Sequence, residues 1–227
     1  MNIAETIEIE GFKVNICYDF DPASPREWDN LGKMICWHRR YDLGDLQSKE
    51  SSDNWLCHFA RSFTNYESLD CSSERFKELE DMTIEEAISI LEKHIIMLPL
   101  YLYDHSGITM RTYSFNDRWD SGQVGYIYVS IADAKKEYGW KQLTKARRKK
   151  LEEHLISEVK VYDDYLTGAV YGYQVVDEDD EVLDSCWGFF GSDHEKSGLM
   201  EFARDFLKSQ KEKVTNETHD SLACAAI

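Results

Sequence analysis

Apolar and polar positions alternate in the opening segment TIEIEGFKVNICYDF, with Ile7 and Ile9 before Gly11 and Val14, Ile16 and Tyr18 after it. Period-two alternation interrupted by a glycine predicts a hairpin or bent strand with one buried face. In SPREWDNLGKMICWHRR, Ser24 precedes Pro25 and Glu27 falls in the following turn, while Trp28, Leu31, Ile35 and His38 recur at helical spacing. That pattern predicts a capped helix. From about 40 to 82 the chain is polar and lacks a period, which predicts a surface excursion with a short helical piece around 55–61.

Thr83 with Glu86 three residues on forms a capping box, and Ile84, Ala87, Ile88, Leu91, His94 and Ile95 keep a helical period to about Ile96. Pro99 interrupts it. Strands are predicted over 98–103 and 108–113, joined by Asp104, His105, Ser106 and Gly107, and over 125–130, where Ser130 caps a short helix at 131–138. Leu151, Leu155, Val159 and Tyr162 mark the core face of a helix over 144–165, stopped by Gly168. Two further strands, 169–176 and 182–190, flank an acidic turn, and Leu199, Phe202, Phe206 and Leu207 line a last helix near 195–209. Together these elements predict an α+β fold: an antiparallel sheet of about five or six strands with helices mainly on one face. A single domain is drawn over 1–210, carrying the excursion at 40–82, with a frayed tail over 211–227.

A hydrophobic content of 42% over 227 residues is enough for a sizeable core, and no apolar run approaches the ~20 residues of a membrane helix. The N-terminus is acidic where a signal peptide is basic and then apolar, and the six cysteines show no CxxC spacing. A cytoplasmic protein with reduced thiols and no membrane partner is expected. The final Cys224, Ala225, Ala226 and Ile227 have the form of a prenylation box, but no polybasic segment precedes them.

The net charge of −17 is unevenly spread, at −10 over residues 1–100, +5 over 101–150 and −12 over 151–227. Negative potential repels phosphate backbones and attracts basic surfaces, so direct nucleic-acid binding is disfavoured and a basic protein partner is favoured. Against this stands the block 135–150, with eight basic residues and Glu137 as its one acid. It suits RNA, an acidic surface, internal acid–base pairing or self-association.

Asp104, His105 and Ser106 are adjacent, and Asp120, Ser121 and Gly122 follow shortly after. Neighbouring side chains point apart, so adjacency alone does not make a triad, and Asp and Gly are also what tight turns require. His105, Asp104, Asp120 and Cys186 nevertheless form a possible catalytic set if the fold gathers them, with His105 as general base and Cys186 as nucleophile. Cys36, His38, Cys57 and His58 are poorly spaced for zinc, and Asp177, Glu178, Asp179 and Asp180 lack the alternation and glycine of a calcium loop. No P-loop, dinucleotide-binding glycine pattern or HExxH is present, and neither a metal nor a cofactor is expected.

The segments SPREWDNLGKMICWHRRYDLGD, LPLYLYDHSGITM, WDSGQVGYIYVS, YLTGAVYGYQV and DSCWGFFG resemble an uncharacterised family of phage, prophage and mobile-element proteins. The resemblance covers most of the chain outside 46–82 and the tail, and implies a bacterial or phage setting in which the terminal box is idle. It carries over no catalytic residue. In that setting the first expectation is a non-enzymatic acidic anti-defence inhibitor, engaging a basic nucleic-acid-handling host protein such as a defence nuclease through Asp177, Glu178, Asp179, Asp180 and Glu181. The alternative is an enzyme acting on a nucleotide or nucleic acid through the His/Asp/Cys set.

Overall fold

A computed structural model describes residues 2–9 and 11–224, with side chains through 212. In chain order the elements begin with β1 (Ile3–Ile9), β2 (Phe12–Tyr18), a 3-10 turn at Pro25–Glu27, β3 (Lys33–Cys36) and β4 (Leu46–Gln47). Three helices follow, α1 (Ser52–Ser62), α2 (Glu74–Glu80) and α3 (Ile84–His94), then β5 (Ile95–Asp104), β6 (Ile108–Arg111) and β7 (Ser121–Ser130). The chain continues through α4 (Ile131–Glu137), α5 (Lys145–Leu166), β8 (Val170–Val176), β9 (Val182–Phe190) and α6 (Leu199–Cys224).

The fold class is α+β, as expected, but the strands form two mostly antiparallel sheets, ordered β1-β2-β8-β9 and β4-β3-β7-β5-β6, instead of one. Contacts divide the chain into two compact units where one domain over 1–210 is expected from the sequence. Unit 1 comprises Met1–Ala23 with Asp164–Ile227, and unit 2 is the intervening Ser24–Asp163.

Unit 1 is the four-stranded sheet covered by α6. Val14, Ile16, Tyr171, Tyr173, Val175 and Phe189 meet Leu199, Met200, Ala203 and Leu207 in its core. The β1–β2 hairpin forms at Gly11, whose φ of 89° suits a residue without a Cβ. Pairing of Lys13 with Val176 and Tyr18 with Tyr171 closes the sheet across the whole insertion. Helix α6 starts at Leu199 instead of 195 and stays helical to Cys224, past the point near 211 where the apolar period ends. Lys, Glu and Gln favour helix even without a buried face, and no Pro or Gly intervenes. Residues 225–227 of the Cys-Ala-Ala-Ile sequence lie outside the described residues.

Unit 2 is the five-stranded sheet with helices on both faces, where one face is expected. Tyr126, Tyr128 and Met97 pack against Leu56, Ala60, Leu79, Ala87 and Leu91 of α1, α2 and α3. A Cβ at Gly32 would lie 2.7 Å from Leu155 and 2.9 Å from Ile127, which places α5 on the opposite face. The short helical piece expected around 55–61 forms as α1, and together with α2 it packs Leu56, Ala60 and Leu79 into the α1–α3 layer, while the linking residues 63–73 stay largely at the surface. The helix predicted after Ser24 is a single 3-10 turn. Ser24 does accept the Arg26 amide at 3.3 Å, but Met34, Ile35 and Cys36 then extend and pair with Ile127, Tyr126 and Gly125 of β7. The i, i+3, i+7, i+10 spacing of Trp28, Leu31, Ile35 and His38 fits a helix, and strand pairing overrides it.

The Thr83–Glu86 capping box forms as expected, with Thr83 N donating to Glu86 Oε2 at 2.9 Å. Leu151, Leu155, Val159 and Tyr162 are the buried residues of α5. At the end of β3, burial first, and then Asp45, push the Cys36 thiol up to about 12. Burial likewise raises Cys17, Tyr171 and Tyr173. Such groups keep their protons longer in the folded chain, so for Cys36 the stability contribution is complete below the thiol's ordinary 9.0 and is lost as pH rises to about 12. Thermal melts are expected to shift steadily downward between about pH 8 and about pH 10.5, and a flat profile would contradict this assignment.

Candidate functional site

The polar residues of the segment 103–122 come together at one end of the five-stranded sheet, where β5 leaves for β6 and β7 begins. The β5–β6 connection is tighter than the four-residue turn the sequence suggests. Asp104 pairs with Ile108, His105 N donates to Gly107 O at 3.0 Å, and Ser106, not Gly107, takes the left-handed conformation at φ 60°. Ser121 and Gly122 are not a turn either. They open β7, opposite Tyr103 and Leu102.

The residue that shapes the preceding loop is Asp117, which accepts from Trp119 N at 2.8 Å and Asp120 N at 3.0 Å. These backbone bonds, that from Asp120 first, hold its carboxyl below the usual carboxylate range. Trp119 does not pack beneath the loop but is 95% exposed, and Tyr113 is also exposed. Tyr126 and Tyr128 instead pack on the sheet face against the helices.

Antiparallel register then sets the side chains. Asp104 N donates to Asp120 O at 2.8 Å, so the two segments run side by side and His105 Nδ1 lies 2.9 Å from Asp120 Oδ2. The imidazole stacks on Tyr103 with centroids 6.0 Å apart. Asp104 faces a different partner, forming an ion pair with Arg40. His38 stacks on Tyr41 at 5.0 Å and accepts backbone N–H bonds from Arg40 and Tyr41 at 3.3 and 3.1 Å. Burial, opposed by Asp104, keeps His38 below the ordinary imidazole value, consistent with a neutral acceptor ring.

A His–Asp contact of this kind orients an imidazole and leaves its other nitrogen to act on a proton. Here His105 is largely in water and Asp120 is partly so, with side chains 63% and 40% exposed. Cys186 belongs to unit 1, while the other three members of the proposed set belong to unit 2. It sits on β9 opposite Tyr173, half-buried at the rim of the unit 1 core. Tyr173 donates to Asp184 at 2.7 Å, and burial followed by this bond raises its phenol.

The zinc candidates separate. Cys36 is buried in β3, Cys57 contacts Met82 O at 3.5 Å, and His58 pairs with Glu50 at 2.7 Å. Among the described residues no group of three or more His, Cys, Asp or Glu is placed to hold a metal ion.

In unit 1, the acidic turn divides its five carboxylates between two duties. Asp177 Oδ1 accepts from Asp179 N and Glu181 N at 3.0 and 2.9 Å, and Asp180, at φ 61°, pairs with Lys13 at 2.7 Å. Glu178, Asp179 and Glu181 are exposed, and their carboxylates have no partner among the described residues. Unit 1 carries 19 acidic against 6 basic residues, a net of −13, whereas unit 2 carries 24 against 20, a net of −4.

Sequence reading missed a largely buried ion network in unit 2. Arg26 bonds Asp45 through Nε and Nη2 at 2.8 and 2.7 Å, Glu158 through Nη1 at 2.9 Å, and Gly32 O at 2.7 Å. Burial opposes its charge, and the bonds to Asp45 and Glu158 outweigh that effect to raise its pKa. One signal was present: Glu158 falls in the i, i+4, i+7, i+11 stripe with Leu151, Leu155 and Tyr162, and a carboxylate on a core-facing stripe demands a cation. No family model, curated protein or solved structure matches this chain.

Proposed function

We propose that this chain is a non-enzymatic acidic binding protein of a phage or other mobile element, acting as an anti-defence inhibitor of a basic nucleic-acid-handling host protein. The observation that carries the reading is the concentration of charge. Unit 1 holds −13 of the total −17, and the tip of its β8–β9 hairpin presents three exposed carboxylates without partners. Carboxylates offered to solvent in this way compete with phosphates for a groove lined by Lys and Arg. Asp177 and Asp180 shape the turn and its contact to β2, leaving Glu178, Asp179 and Glu181 as the binding groups. The phage and host setting rests on the resemblance of the motifs described above.

A second reading, an enzyme acting on a nucleotide or nucleic acid, is favoured by the contact between His105 and Asp120. A pull-down with the tagged chain from bacterial lysate separates the two. Under the binding reading, E178K/D179K/E181K loses the captured basic proteins and His105→Ala keeps them. Capture unaffected by the triple reversal, or a nucleotide-directed activity abolished by His105→Ala, would overturn it.

A further inference from the structure

We propose that the basic surface spanning α4 and the start of α5 binds single-stranded nucleic acid through its phosphates. This inference does not depend on the acidic hairpin. Within 135–150 lie Lys135, Lys136, Lys141, Lys145, Arg147, Arg148, Lys149 and Lys150. In a chain with 43 acidic residues, internal neutralisation of these charges is the simple expectation. It does not occur. Lys149 pairs with Glu153 at 3.6 Å on its own helix, and no other member of the block has an ion pair among the described residues. Arg147 and Arg148 bond only carbonyls, Gln142 O at 2.7 Å and Glu92 O at 3.3 Å.

The run also sits where a helix least tolerates it. Helix α5 opens Lys-Ala-Arg-Arg-Lys-Lys with no acid in its first turn, so clustered cations face the positive end of the helix dipole. A bound polyanion relieves both that repulsion and the repulsion among the cations themselves. Tyr138 and Trp140 brace the surface. Their rings stack at 4.5 Å, Lys150 Nζ lies 4.9 Å from the Tyr138 centroid, and Arg147 lies 5.1 Å from that of Trp140. Cations held over aromatic rings are pre-positioned, and aromatic groups within a basic track are a recurring feature of single-strand binding surfaces.

The ligand is a phosphate chain rather than an acidic protein because the surface lacks protein-interface anchors. No large hydrophobic side chain between 131 and 150 is exposed, and six of the eight cations are lysines, which interface cores avoid. The Debye length of ~8 Å at physiological salt confines the reach of each charge, so the net charge of −17 does not by itself decide what a local patch binds. A flexible strand follows the patch, whereas a rigid duplex extends its charge past it.

Fluorescence anisotropy of the full chain with labelled oligodeoxythymidylate and RNA of about 20 nucleotides, at about 25 to 200 mM NaCl, tests this. Log affinity is expected to fall linearly with log salt, and K145Q/K149Q/K150Q, all at exposed positions, should lower the slope by about 2 and weaken binding more than tenfold. E178Q/D179N/E181Q should leave binding intact, which separates this surface from the acidic hairpin. The absence of binding at the lowest salt overturns the proposal, as does an unchanged slope in the lysine variant. So does equal affinity for a labelled polyglutamate, or a salt-sensitive self-association in sedimentation that the lysine variant abolishes.

Discussion

Arg26→Ala is expected to lower the free energy of unfolding by about 3–5 kcal/mol, because it leaves two buried carboxylates without their cation. The Arg26 side chain is 5% exposed, Asp45 13% and Glu158 9%. The three are not interchangeable with an apolar trio. Asp45 Oδ2 also accepts from Met34 N at 2.7 Å, and Glu158 Oε1 accepts from Gly32 N at 2.9 Å. Removing the carboxylates thus strands backbone donors at the mouth of β3. Arg26→Lys is expected to recover only part of the loss, since an ammonium cannot bond Asp45 through a two-nitrogen fork while reaching Glu158 and Gly32 O. Urea unfolding at constant m value measures both variants; a loss below about 1 kcal/mol for Arg26→Ala, the range of a surface pair, would refute the assignment.

The second large effect lies on β7. A Cβ at Gly125 would stand 2.0 Å from Ile35 O and 3.0 Å from Cys36 Cα, both backbone atoms of the paired strand. No rotamer change relieves such a contact, so Gly125→Ala must push β3 away, at an expected cost of about 3 kcal/mol. The same strand supplies the control. Gly122 has nothing within 4 Å of its Cβ direction, and Gly122→Ala is expected to be neutral or to stabilise by about 0.5 kcal/mol through reduced chain entropy. Paired denaturation curves that failed to separate the two glycines would contradict the register of β3 on β7.

Both effects concern the part of the chain where sequence patterns mislead. Local signals carried the fold where the interaction itself is local: the Thr83 capping box, the Leu151–Leu155–Tyr162 stripe and the hairpin at Gly11. Segment 28–36 had an equally good helical period, and only the distant strand β7 makes it extended. The split into two sheets was hidden for the same reason, since pairing of Lys13 with Val176 leaves no trace in either segment. At the candidate site, Asp120 and His105 were recognised as residues, but their 2.9 Å approach depends on the register of β5 on β7. Asp117, which shapes that loop, looked like one more polar residue in a polar stretch. The acidic turn was legible as composition, while the division between turn-forming Asp177 and Asp180 and the freely presented Glu178, Asp179 and Glu181 required the backbone geometry.

If unit 1 works by charge, as we propose, capture of its partners depends on salt, and that dependence is the most direct test. Proteins retained from bacterial lysate on the immobilised chain should be basic nucleic-acid-handling proteins. They should be released steeply between about 50 and 500 mM NaCl, or by competing DNA at low salt. Retention that persists through that range and is indifferent to DNA would contradict the account.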